Sequence, residues 1–176
     1  MKKWAKGFCP LLLLFGLMPA GLLPPAFADP ILKSQAPCNK GTPDVCQLFT
    51  SAGAPSFVVR SIGFRAPSAG SALVLFQGTL YCAHNLNGRE AIDIDTQIVD
   101  VETAVAARDQ PGGARYLFKL QPGNTSATVS TNASRVFTGQ AAGLHDYYFA
   151  VNRTTLDPGI TCYFYNDSLT VAFVPK

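Results

Sequence analysis

The chain has 176 residues, 14 Lys and Arg against 11 Asp and Glu, a formal net charge of +3, and 48% hydrophobic residues. That length suits one domain with its own core. The positive charge does not mark a nucleic-acid binder, because Lys2, Lys3 and Lys6 supply it at the extreme N-terminus. Without those three, 11 basic residues face 11 acidic ones, and no cluster of cations remains to hold phosphate or anionic lipid.

Taken in chain order, residues 1–28 read as a cleavable secretory signal. A basic head, Met1-Lys2-Lys3-Trp4-Ala5-Lys6, precedes an apolar stretch from Phe8 to Leu23, and Ala26-Phe27-Ala28 supplies small residues at both positions of an A-x-A cleavage site. Pro10, Pro19, Pro24 and Pro25 interrupt the stretch, whereas a membrane anchor needs about 20 uninterrupted apolar residues. The expectation is a protein secreted or periplasmic, starting near Asp29, with no membrane insertion after cleavage.

Cys9 leaves with the signal and four cysteines remain, Cys38, Cys46, Cys82 and Cys162. An even number in an oxidising compartment predicts two disulfides. Among three possible connectivities, spacing favours Cys38 with Cys46, close together in a Pro/Gly/Asn segment, and Cys82 with Cys162, one in each of two strand-like segments. Zinc is the competing use of four thiols, but no C-x-x-C spacing occurs. Residues 29–56, with Pro30, Pro37, Gly41, Pro43, Gly53 and Pro55, read as an irregular extension pinned by a disulfide, with a short helical turn at 44–49.

From Phe57 onward, runs rich in Val, Ile, Phe, Tyr and Thr alternate with Gly, Pro, Asn and Ser clusters at strand-like intervals. The predicted strands are 57–65, 71–84, 90–105 in one or two pieces, 114–120, 126–131, 135–138, 144–153, 160–166 and 168–174. So many short strands in one domain, 57–176, predict an all-β, two-sheet antiparallel sandwich. Period-two alternation puts Val74, Phe76, Leu80 and Cys82 on one face, Ile160, Cys162 and Phe164 on another, and Leu169, Val171 and Phe173 together on a third. Apolar character changes parity between Ile98 and Val99, which predicts a bulge or bend there.

The segment Ile62-Gly63-Phe64-Arg65-Ala66-Pro67-Ser68-Ala69-Gly70, the Ala141-Ala142-Gly143 turn before an aromatic strand, and the ending Leu169-Thr170-Val171-Ala172-Phe173-Val174-Pro175 resemble bacterial secreted jelly-roll domains distantly similar to the C1q and tumour-necrosis-factor fold. The resemblance covers about residues 57–175 and implies a jelly-roll-like sandwich that binds or assembles, often as a trimer.

Candidate sites are few. His84 and His145 are the only histidines, and G-x-S-x-G is absent, so no nucleophilic hydrolase signature stands out. Asp93 and Asp95 project from one strand face near Glu90, Asp100 and Glu102, oxygen ligands suited to calcium or a charged strand face that discourages sheet association. Tyr148, Tyr163 and Tyr165 fall opposite Phe149 and Cys162 and are candidates for an aromatic ligand platform. Asn124, Asn132, Asn152 and Asn166 each open an N-x-S/T triplet, read as turn chemistry.

No motif calls for a cofactor or points to an enzyme. The function expected is a secreted or periplasmic non-catalytic binding module for a glycan, a cell-surface protein or its own copies. The alternatives are an exported structural or assembly subunit, pilin-like or a trimeric jelly roll, and a periplasmic hydrolase.

Overall fold

The structure is a computed structural model that describes residues 31–34, 48–84, 91–120 and 125–176. It is all-β, as the alternation predicts. The strands are β1 (Ile31–Ser34), β2 (Leu48–Thr50), β3 (Ser56–Ala66), β4 (Gly70–His84), β5 (Ala91–Val99), β6 (Gly113–Lys119), β7 (Ser126–Gln140), β8 (Gly143–Leu156) and β9 (Ile160–Pro175). The described residues include no helix long and apolar enough to cross a membrane.

The pairings nest. β5 pairs with β6, β4 with β7, β3 with β8, and β1 and β2 with β9, all antiparallel, so the chain forms one long ribbon folded back near residues 100–112. Rolling that ribbon brings β9 beside β4 and β8 beside β5. The result is a five-stranded sheet in which β9 has β1 and β2 along one side and β4 then β7 on the other, and a four-stranded sheet ordered β3-β8-β5-β6. This is a jelly roll.

Between the sheets the core is aromatic. Phe76 of β4 stacks on Phe149 of β8 with ring centroids 3.5 Å apart, and Phe164 of β9 meets both edge-on at 6.0 and 5.7 Å, so three strands from two sheets meet in one cluster. The predicted disulfide Cys82–Cys162 is present, fully buried on the core side between directly opposed residues of β4 and β9. Cys38 and Cys46 lie outside the described residues, as do the expected signal and its cleavage site.

Several expectations are corrected. Residues 29–56 are not irregular throughout, since β1 and β2 come from that stretch and extend the sheet along β9. Within the helical turn expected at 44–49, Leu48 and Phe49 are strand, and the preceding residues are outside the described set. Strand β5 does not continue to 105, and of the bulge or bend expected near Ile98–Val99 a bend is found. It stops at Val99, the chain bends at Asp100, and Val99 packs on the outside of the sheet with Ala106 and Ala150.

The breaks expected at 132–134 and 167 do not occur either, because β7 and β9 run through them. Asn132 and Asn152 sit inside strands, not in turns. Asn166 takes a positive φ of 49°, which Asn tolerates better than most residues, and it forms a bulge instead of ending the strand. The register of β9 against β4 slips there, so Cys162 and Phe164 face the core before it and Asp167, Leu169, Val171 and Phe173 after it.

A second bulge, between Val58 and Arg60 of β3, turns Arg60 inward. The two bulges aim Arg60 and Asp167 at each other across the interior, with Nε and Nη2 donating to Asp167 Oδ1 at 2.8 and 2.5 Å. Both residues are buried. Gly78 of β4 lies beside this bulge because a Cβ there would stand 2.8 Å from Asp167 Cβ and 3.0 Å from Phe76 Cζ.

Candidate functional site

The two outer faces of the sandwich differ in chemistry. On the four-stranded sheet, outward positions carry charge, and the carboxylates of Asp93 and Asp95 are paired with arginines. Arg115 of β6 donates through Nε and Nη2 to both carboxylate oxygens of Asp93 at 2.8 and 2.7 Å, and the Arg108 guanidinium stands 2.9 Å from Asp95. Segment 100–112 folds over this face. Gln97 holds it there, accepting from Ala107 N at 3.1 Å and donating to Pro111 O at 3.3 Å.

The expected carboxylate cluster is therefore an ion-pair network. The hydrogen bond from Arg115 holds the Asp93 carboxyl below its ordinary value, against the opposing effect of burial. Two guanidinium groups already occupy the positions a cation would need beside Asp93 and Asp95.

Outward positions on the five-stranded sheet alternate with the core residues of each strand. On β4 they run Ser71, Leu73, Leu75, Gln77, Thr79 and Tyr81; opposite them on β7 stand Val136, Ser134, Asn132, Ser130 and Thr128. On β9 they include Thr161, Tyr163, Tyr165, Ser168, Thr170 and Ala172. Among the described residues this face has no Asp, Glu, Lys or Arg. Lys33 of β1, although at its margin, turns inward and donates to the Gly63 carbonyl. Arg135 of β7 also turns inward, to the Ile98 carbonyl at 2.9 Å.

Within this neutral face the chemistry is graded along the strands. At one end Tyr81 and Tyr163, directly opposed on β4 and β9, have ring centroids 5.0 Å apart, and Tyr165 lies 5.9 Å from Tyr163. Leu48 of β2 and Thr128 of β7 continue the same cross-strand line. In the middle, the amides of Gln77 and Asn132 are directly opposed beside a shallow depression of about 260 Å³ that Leu75 and Ser134 also line. At the far end Leu32, Ala172, Leu73 and Val136 form an aliphatic line from β1 to β7, with Leu32 68% and Val136 58% exposed.

The structure thus brings Tyr163 and Tyr165 together and separates them from Tyr148. The alternation that set Tyr148 opposite Phe149 is correct, but β8 belongs to the other sheet. Tyr148 lies on that sheet's outer face against Val99 and Ala150, under segment 100–112. The third ring beside Tyr163 is Tyr81. Its signal in the sequence was Cys82: once Cys82 pairs with Cys162 across antiparallel neighbours, Tyr81 must oppose Tyr163.

His145 does not join this surface. His145 Nε2 lies 2.8 Å from the Ala141 carbonyl, so its ring is engaged with the turn between β7 and β8. His84 ends β4.

No family model and no curated protein matches the chain. Among solved structures it is similar to dimeric latent PorU from Porphyromonas gingivalis, at TM-score 0.49 and 7% identity over 86% of this chain and 13% of that one. It is similar also to the infectious bursal disease virus Gx strain, at TM-score 0.31 and 11% identity over 90% of this chain and 46% of that one. A VP2 subviral particle of the same virus gives 0.23 and 14% over 90% and 46%. The chain spans less than half the length of each.

Chemically, the described residues of the five-stranded face offer aromatic surface, hydroxyls and amides, and among them there is no Asp, Glu, Lys or Arg. Recognition of an uncharged surface is what such an arrangement supports.

Proposed function

We propose that the protein is an exported, non-catalytic binding module whose recognition surface is the outer face of the five-stranded sheet. The observation that carries this reading is the segregation of charge: the opposite face holds the ion pairs Arg115–Asp93 and Arg108–Asp95, while the described residues of this face, from β1 to β7, include no Asp, Glu, Lys or Arg. Export is supported by the signal-like N-terminus and by a disulfide, which persists in oxidising compartments.

The test is solid-phase binding of the purified exported protein to immobilised polysaccharides and glycoproteins, comparing Ser130→Arg and Thr79→Arg on the proposed face with Leu117→Arg on the other. Loss of binding in the first two and retention in the third is the expected result. Loss confined to Leu117→Arg overturns the assignment. N-terminal sequencing of the exported chain tests cleavage after Ala28.

A second reading, assembly with its own copies, is favoured by the aliphatic line Leu32, Ala172, Leu73 and Val136, which would be covered if two such faces packed together. Concentration-dependent light scattering checks it, with Val136→Arg expected to shift the protein to monomer.

A further inference from the structure

Resting on that proposed binding face, we infer that its tyrosine end takes a neutral polysaccharide chain, with Tyr81, Tyr163 and Tyr165 as the stacking surface and the Gln77 and Asn132 amides as hydrogen-bonding partners. Three observations converge on this ligand class. First, the described residues of this face include no Asp, Glu, Lys or Arg, so a charged polymer would lose hydration against them without gaining a counter-charge. Second, the outward residues around the tyrosines are hydroxyls and amides, Thr79, Ser130, Thr128, Gln77 and Asn132. Protein-interface cores are enriched in Tyr and depleted in Ser; the rings suit either kind of partner, and it is the surrounding Ser, Thr, Gln and Asn, donors and acceptors alike, that fit the hydroxyls of a polyol.

Third, the polar and aromatic groups are laid out along a line. Tyr81 and Gln77 are four residues apart on β4, about 13 Å at strand rise, and a depression runs on from Gln77 and Asn132 towards Leu75 and Ser134, on the side away from the rings. A sugar presents apolar C–H surface to an aromatic ring and hydroxyls at its edge, which is the pairing that tyrosine, with an apolar body and a polar tip, can meet. The length of the line suits an extended chain instead of a single sugar. The covalent link beneath it, between Cys82 and Cys162, holds the Tyr81 and Tyr163 backbones in register.

The experiment is affinity electrophoresis of the full exported protein through gels containing dextran, amylose, mixed-linkage β-glucan or galactomannan, with polygalacturonate and heparin as charged counterparts. Retardation by at least one neutral polymer is expected. Tyr81→Ala and Tyr163→Ala each weaken it roughly tenfold, on the scale of one lost aromatic contact, and Thr128→Arg weakens it too. Leu117→Arg leaves it unchanged. Far-ultraviolet dichroism and the urea midpoint confirm that each variant is folded, and Tyr81→Phe, which keeps the ring, retains binding if any alanine variant is destabilised.

Retardation only by the charged polymers overturns the inference. If no polysaccharide retards the protein, while immobilised non-glycosylated proteins capture it in a Thr128→Arg-sensitive manner, the ligand class is wrong and the binding face stands. Binding that ignores Tyr81, Tyr163 and Thr128 but is lost with Leu117→Arg overturns both.

Discussion

Cys82 and Cys162 stand directly opposite each other on antiparallel strands, so the residues one step away, Tyr81 and Tyr163, are also opposed, on the other side of the same sheet. A bond buried in the core therefore fixes the register of two rings on the surface. Its loop spans 80 residues of sequence, long enough that opening it frees the unfolded chain by about 4 kcal/mol in the chain-entropy model. Replacing both cysteines by alanine is expected to lower the urea-unfolding free energy by about that amount. β4 and β9 stay paired, because their ladder runs from Gly70 to His84. An unchanged midpoint would contradict this account.

Arg60 and Asp167 make the other long-range link, one between the sheets. Asp167→Asn leaves the buried guanidinium without its counter-charge and is expected to cost about 3–5 kcal/mol, whereas the double variant Arg60→Met, Asp167→Leu recovers most of the loss, since burying two ions costs much of what their attraction returns. Gly78→Ala presses a methyl group against Asp167 and Phe76 and is expected to cost about 1–3 kcal/mol. Urea titration of the four proteins decides whether the pair, the bulge or neither matters.

This pair also marks where sequence reading stopped. Alternation identified the core faces of β4 and of both halves of β9, and with them the disulfide, because each of those stretches keeps one parity. The bulge at Asn166 changes parity at an Asn-Asp pair that looks like a turn, so β9 read as two strands, and the bulge at Val58–Arg60 has no Gly or Pro to announce it. β1 and β2 were missed because four- and three-residue strands in a Pro-rich stretch carry too few alternations, and their pairing is decided by the free edge of β9. Tyr148 was grouped with Tyr163 and Tyr165 because parity says which side of a strand a residue takes and not which sheet the strand joins. The jelly-roll roll-up of the ribbon, which assigns β8 and β9 to different sheets, is long-range information.

Asp93 yields a prediction at acid pH. Its carboxyl is held below the ordinary 3.8 chiefly by the hydrogen bond from Arg115. A depressed value means stability present at and above the unfolded carboxylate range and lost as pH falls through the folded value. In Arg115→Gln the main lowering contribution goes while burial and the weaker pull of the Arg108 charge remain, so the Asp93 titration, followed by carboxyl-resolved NMR, is expected to move upward and the acid-unfolding limb with it. A titration unmoved by the substitution would mean that the pair is too exposed to water to matter, as many surface ion pairs are.

Tyr147 governs the alkaline side. Its ring is fully buried against Phe137, its hydroxyl donates to Gln140 Oε1 at 3.2 Å, and burial, aided by the negative charge of Asp100, pushes the phenol up to about 12. A folded value above the unfolded one, about 10, contributes stability that is complete below pH 10 and disappears as pH rises towards 12. A two-unit gap corresponds to a contribution on the order of 3 kcal/mol. Base titration followed by phenolate absorbance and by far-ultraviolet dichroism should show Tyr147 ionising together with loss of the sheets. Tyr147→Phe keeps the ring, gives up one hydrogen bond worth about 1 kcal/mol at neutral pH, and removes the proton whose release drives the transition. Its alkaline unfolding is therefore expected at higher pH than in the parent, even though it starts less stable. Ionisation of Tyr147 near pH 10 with the sheets intact would show that water reaches this end of the core.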